Sequence, residues 1–338
     1  MTAATKAAIL DAYGKRFRLA PIELLPWIAA GILYVLAPQY MTLGAQIIVM
    51  TIFVLSLDLL VGYAGIVTLG HAAFYGAGAY AAGIFSASFG HNEPISGLLV
   101  GTLVAGALGL ACGFLVLRTR GLTLLILSLS FLLLLQEAAN QAFSWTGGAD
   151  GLSGISTDPL LGRFAFGMDG RTTYLYALAV LFLCWALVRY LLATPFGRSI
   201  VGIRENARRM GALGVDVRRR EHAVFTLSAA MAGLAGALSA QVDQFVSLNV
   251  LSFELSGTVL VVLALGGVGR LYGAFVGAPI FLVAQDVLSK DNPVFWNFWL
   301  GLLLVLVVLF ARGGLLGLAA RLVERVRTAR GAGRGEVG

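Results

Sequence analysis

Apolar positions in this chain run in long unbroken stretches, without the strict alternation or the three-and-four spacing of elements that face water on one side. Read against turn signals, they mark segments at about 22–37, 43–61, 71–89, 95–117, 121–143, 172–192, 222–246, 256–270, 271–288 and 294–311. Most of them approach the ~20 residues that a helix needs to cross a hydrocarbon core. The pattern predicts an all-α polytopic membrane protein with about ten transmembrane helices. The eighth and ninth segments are the least regular. Residues 256–270 are few, and the Gly266-Gly267-Val268-Gly269 run before Arg270 is also compatible with a re-entrant turn.

Composition removes the soluble alternative. Of 338 residues, 59% are hydrophobic and 12% charged, against about 45–50% and about 25% in soluble domains. The formal charge of +7 would point to nucleic acid in a soluble domain. Here the cations cluster in four places instead: the N-terminus, Arg118 with Arg120, the stretch Arg198 to Arg220, and the tail from Arg312 to Arg334. Residues 144–171 carry Asp150, Asp158 and Asp169 against Arg163 and Arg171. Cation-rich loops stay in the cytoplasm, and with ten spans all four clusters fall on one side. The expected division is a cytoplasmic N-terminal segment 1–21, a transmembrane domain 22–311 with a cytoplasmic loop 193–221, and a cytoplasmic basic tail 312–338. Lys6, Lys15, Arg16 and Arg18 precede the first apolar run without an evident small-x-small cleavage site, so that run reads as a first span.

Catalytic chemistry finds little to stand on. Cys112 and Cys184 fall inside apolar runs, which fits neither a disulfide framework nor a thiolate metal site. His71, His91 and His222 are far apart, and neither H-E-x-x-H nor G-x-S-x-G occurs. Gly14-Lys15 is followed by Arg16, and Ile9 stands where a phosphate-binding loop has its leading glycine. No enzyme activity, cofactor, metal or ATP site is therefore expected in the chain.

Two stretches are rich in glycine: Gly62, Gly65, Gly70, Gly76, Gly78 and Gly83, then Gly266, Gly267, Gly269, Gly273 and Gly277. They admit two readings. Small residues let helices approach closely, and glycine permits broken helices that line a translocation path. Ionisable residues in the apolar runs are Asp58, His71, Glu137, Arg189, Asp243 and Asp286. Such groups usually face a bundle interior or a water-filled path. Most lie near a segment end, where snorkelling to the interface is the plain alternative, and Arg189 reads as an anchor. Asp58 and His71 flank the first glycine-rich stretch, where gating or helix positioning competes with a purely structural role.

The loop 193–221 is the most informative segment. Pro195 and Gly197 punctuate its start, Gly211 and Gly214 its end, with one or two short helices between. Ile200, Ile203 and Met210 form one apolar stripe among arginines. Such a helix either rests on anionic headgroups or docks into a soluble partner. The net charge of +4, from seven arginines against Glu205, Asp216 and Glu221, is compatible with both.

This loop, with Gly62-Tyr63-Ala64-Gly65-Ile66-Val67-Thr68-Leu69-Gly70-His71-Ala72-Ala73-Phe74 and Gly76-Ala77-Gly78-Ala79-Tyr80, resembles the permease subunits of branched-chain amino acid ABC importers of the LivM type. Thr146 to Leu152, Ala232 to Leu238, and Leu265 to Gly269 with Gly273 and Gly277 match in the expected order, so the resemblance covers about 43–317. It implies a large-bundle importer permease in a bacterial inner membrane. The partners it implies are a second related permease, two cytoplasmic ATPase subunits that bind the ATP, and a periplasmic solute-binding protein, with no nucleic acid. The loop would then be the coupling segment, with Arg204, Glu205, Asn206, Ala212, Leu213 and Gly214 at the docking positions. The fifth span, with Leu132 to Leu135 and then Gln136-Glu137, departs from the more polar family pattern, and Thr68 stands where serine is commoner. Urea, aromatic acids or other small polar solutes are therefore alternatives to branched-chain amino acids. A stand-alone ion-coupled transporter using Asp58, Glu137 or Asp243 is the alternative of a different class.

Overall fold

The computed structural model describes residues 21–36, 38–159, 166, 170–291, 295, 298–299, 301–302 and 313–318. The segment before residue 21, most of the expected tenth span 294–311 and the tail beyond 318 lie outside the described residues. The organising helices are α1 (Leu25–Leu36), α2 (Met41–Asp58), α3 (Ala72–Ala87), α4 (Pro94–Val116), α5 (Leu122–Gln141), α6 (Arg171–Ala193), α7 (Pro195–Ala212), α8 (Val217–Asp243), α9 (Phe253–Gly266) and α10 (Gly273–Asp291). Six are long and apolar enough to cross a membrane: α2 with its flanking turns, α4, α5, α6, α8 and α10. Among the described residues the only bridge between extended segments joins Leu152 to Val246.

The small-residue run Ala232 to Leu238 explains why α8 lies at the centre. A side chain at Gly233 would collide with Ala105 of α4, and one at Gly236 with the Tyr75 carbonyl of α3. Gly78 of α3 lies in turn against the backbone of Gly233. Without side chains between them, the three helices pack backbone to backbone, which is how helices associate where no water drives them together.

The bundle has two distinct ends. At one end lie α7, the α4–α5 turn with Arg118 and Arg120, and the α9–α10 turn with Arg270. Glu23, just before α1, pairs there with Arg189 of α6, so Arg189 does anchor a helix end. At the far end lie Asp243 beside Gln46, the Leu152–Val246 bridge, and Lys290 at 5.8 Å from the Tyr40 ring. Asp291 leaves α10 at the far end, whereas Gly314 lies against Gly267 in the α9–α10 turn. The chain has therefore returned to the α7 end by residue 314.

Several boundaries differ from the sequence expectation. The third apolar run, expected over 71–89, forms α3 over Ala72–Ala87, but that helix starts inside the bundle, after the non-helical residues 65–70. The Ala72 amide donates to Ser256 Oγ in the first turn of α9 at 3.0 Å. Residues 244–252 dip in from the far end until Leu251 rests on Gly76. The Gly266-to-Gly269 run, expected as a re-entrant turn or a continuing helix, is the hinge of the α9–α10 hairpin. Gly267 (φ 119°) and Gly269 (φ 75°) take backbone angles that side-chain-bearing residues rarely adopt. The seventh run starts earlier than expected, at Val217, because Asp216 caps α8 by accepting from the Arg219 amide at 3.1 Å.

Candidate functional site

The helix α7 is polar, and it is not one helix. At Asn206 the backbone leaves helical geometry (φ −157°, ψ 95°), so the expected stripe of Ile200, Ile203 and Met210 is broken. Ile200 and Ile203 are buried, while Met210 folds back until its sulfur lies where a Gly202 side chain would go. Asn206 Oδ1 accepts from the Arg209 amide at 2.9 Å and starts a second short helix as its N-cap.

The first half of α7 reaches into the bundle. The guanidinium of Arg204 donates to the carbonyl of Gly62, in the π-helical turn Leu59–Tyr63 that ends α2. Such turns leave carbonyls free of the regular ladder and recur at functional sites. One turn earlier, Asp58 is 1% exposed and its Oδ1 accepts from the Gly269 amide at 2.7 Å. Asp58 is thus not an interfacial, snorkelling acid. It ties the end of α2 to the α9–α10 hinge, 211 residues away in sequence.

Glycine is what allows this convergence. A Cβ on Gly62 would lie 2.5 Å from the Gly269 nitrogen and against Asp58. One on Gly65 (φ 74°) would lie 2.9 Å from Arg204 Cγ. The two glycine-rich stretches therefore meet at Gly62 and Gly269, with Arg204 over their seam. The remaining glycines serve other contacts: Gly70 lies against Ser128 of α5, Gly76 against Leu251, Gly78 against Gly233, and Gly266, Gly273 and Gly277 close the α9–α10 hairpin. A cleft of about 670 Å3 runs beneath α7, bordered by Ala64 to Val67, the α4–α5 turn and Ile203, Arg204 and Ala207.

Deeper in, the serines hold the broken segment. Ser128 Oγ accepts from the Leu69 amide at 3.1 Å, His71 Nε2 meets Ser56 Oγ at 2.9 Å, and Ser228 donates to the Ser56 carbonyl at 2.6 Å. His71 is buried and stacks on Phe53 at 5.5 Å. These serines were not singled out from the sequence; their isolation within apolar runs was the signal that marks them.

The expected coupling residues separate into three groups. Arg204, itself exposed, sends its guanidinium to the Gly62 carbonyl, and Asn206 caps a helix. Glu205, Ala212 and Leu213 are exposed, Leu213 at 70%, and Gly214 (φ 84°) makes the turn toward α8. Asp58, Glu137 and Asp243 do not come together: Asp58 is at the α7 end, Glu137 accepts from Gln141 on α5 at 2.8 Å, and Asp243 is at the far end. The three therefore do not share one site.

Apolar helices packed through glycine around broken segments, with a polar surface helix bonded to their hinge, define a polytopic membrane protein of the transport class. Residues 39–319 match the family described as branched-chain amino acid transport system, permease component, and the chain belongs to that family. Its similar proteins include the high-affinity branched-chain amino acid transport system permease protein LivM of Escherichia coli (strain K12), 32% identical over 83% of this chain and 70% of that protein. LivM of Salmonella typhimurium (strain LT2) is 32% identical over 78% and 66%. The autoinducer 2 import system permease protein LsrC of Shigella flexneri is 31% identical over 55% of each chain. These relatives are transport permeases and not enzymes. No solved structure matches the chain.

Proposed function

We infer that the chain is the transmembrane permease subunit of an ATP-binding cassette importer in a bacterial inner membrane, carrying branched-chain or related small amino acids. Its partners are a second related permease, two cytoplasmic ATPase subunits that bind and hydrolyse the ATP, and a periplasmic solute-binding protein. Residues 22–311 form the membrane domain with ten crossings, α7 lies in the cytoplasm, and residues 1–21 and 312–338 are cytoplasmic too. The arginines gathered around α7 support that orientation, as does the presence of Glu23 and Gly314 at the α7 end.

The observation that carries this reading is the bond from Arg204 to Gly62, beside the bond from Asp58 to Gly269. A surface helix that only rested on headgroups would need no tie to the bundle. A helix that passes on an ATPase stroke needs one, because packed interfaces switch between arrangements and do not deform smoothly. Glu205 and Leu213 then face the ATPase, and Arg204 carries its movement to the seam of the two glycine-rich stretches.

Co-purification of the tagged chain from its native membrane in mild detergent, with identification of what accompanies it, tests this reading. A second permease and two ATPases bearing phosphate-binding loops are the expected companions. A chain recovered alone across several detergents contradicts it. LsrC is named for autoinducer 2 import, and uptake of leucine against autoinducer 2 by the assembled complex separates the two solutes.

A further inference from the structure

At the far end, α2, α3, α8, α9 and α10 border an open cavity of about 170 Å3, with Asp243 exposed at its mouth. Asp243, Gln46, Ser239 and Tyr75 form its polar side, and Phe53, Leu255 and Leu282 contribute to its apolar side. The Asp243 carboxylate accepts from Gln46 Nε2 at 3.2 Å and from Ser239 Oγ at 3.0 Å. These donors orient the carboxylate, and among the described residues no lysine or arginine pairs with it. An oriented carboxylate with uncompensated charge beside an apolar wall is complementary to a primary ammonium group on a small aliphatic body. The volume suits such a body, since a cavity of about 150 Å3 in an engineered protein holds benzene.

We propose that this cavity is a contact site for solute in transit, in which Asp243 holds the ammonium of a small aliphatic amino acid and Phe53, Leu255 and Leu282 receive its side chain. The inference rests on the reading of the chain as a solute permease and adds the chemistry it selects. A neutral polyol can offer Asp243 hydroxyl hydrogen bonds but not the opposite charge of an ammonium. A polar vestibule of about 210 Å3, with Thr42, Thr157, Thr173 and Gln244, adjoins it through Val242, which lines both cavities.

The test is thermal stabilisation of the purified full-length chain in detergent by leucine, by isoamylamine (leucine without its carboxylate), by 4-methylpentanoate (leucine without its ammonium), and by sodium chloride against choline chloride. Leucine and isoamylamine are expected to stabilise, and 4-methylpentanoate is not. Asp243→Asn, which keeps a hydrogen-bond acceptor for Gln46, is expected to weaken leucine binding on the order of tenfold. Leu282→Trp fills the cavity and is expected to abolish the response. If Asp243→Asn does not fold, the analogue selectivity of the wild type decides alone. Equal stabilisation by 4-methylpentanoate, a sodium response without an amine response, no amine response at all, or a wild-type response from Asp243→Asn overturns the proposal. Binding to the isolated chain needs no ATPase. Amine selectivity of the isolated chain is therefore read separately from co-purification out of the native membrane: a chain recovered there without ATPases sinks the importer reading and leaves this site standing, and an isolated chain without amine selectivity sinks only the site.

Discussion

Asp58 and Asp243 are carboxylates on two helices of one bundle, and the bundle treats them differently. Asp58 is 1% exposed, bonded to a backbone amide 211 residues away, and flanked by glycines with no room for a methyl group. Asp243 is exposed at the mouth of a cavity, oriented by two neutral donors and otherwise open. The first arrangement fixes elements to one another, and the second leaves a charge available. In the proposed importer these would be separate tasks: the end under α7 would transmit force without yielding, and the far end would meet a solute and release it. The difference in surroundings, more than the residue type, assigns the task.

Substitutions at the two ends test that contrast. Gly62→Leu forces a side chain into the Asp58–Gly269 contact and should cost about 3 kcal/mol or more, seen as loss of monodisperse protein on size exclusion. Asp58→Leu strands the half-buried Gly269 amide and should destabilise by about 1–3 kcal/mol, whereas Asp58→Asn retains an acceptor and should recover most of that in thermal melts. Asn206→Ala removes the cap inside α7 and should cost ~1 kcal/mol. Asp243→Leu, at an exposed position, should stay within ~0.5 kcal/mol; a loss equal to that of Asp58→Leu would erase the distinction between the two ends. Glu205→Lys should leave melting unchanged and abolish transport by releasing the ATPase. Normal uptake by that variant removes Glu205 from the docking surface.

Much of the architecture was legible because crossing a membrane demands long apolar helices, and such runs stand out in any window. The breaks inside them were not. Glycine strings serve close packing and unwound segments equally well, so residues 62–70 could be left between two apolar segments but nothing local told that this break lies inside the bundle. Arg204 is one of seven arginines in its loop, and its bond depends on the Gly62 carbonyl freed by the π-helical turn. The break at Asn206 falls between two stretches of helical composition, where only an asparagine three residues before Arg209 hinted at a cap. Asp58 could be flagged from its apolar setting, but its partner lies on a hinge that sequence distance conceals. Asp243 was visible as an intramembrane acid, yet its cavity is built from five helices.

The central claim is that α7 drives the bundle through Arg204, and it is tested most directly by Arg204→Met in the co-purified complex, reconstituted in liposomes with its binding protein. ATP hydrolysis and solute uptake are measured in the same preparation. The account predicts that the complex still assembles and hydrolyses ATP, while uptake per ATP falls on the order of tenfold or more, in proportion to a lost charge-assisted hydrogen bond. An Arg204→Met complex that keeps wild-type uptake per ATP would contradict it.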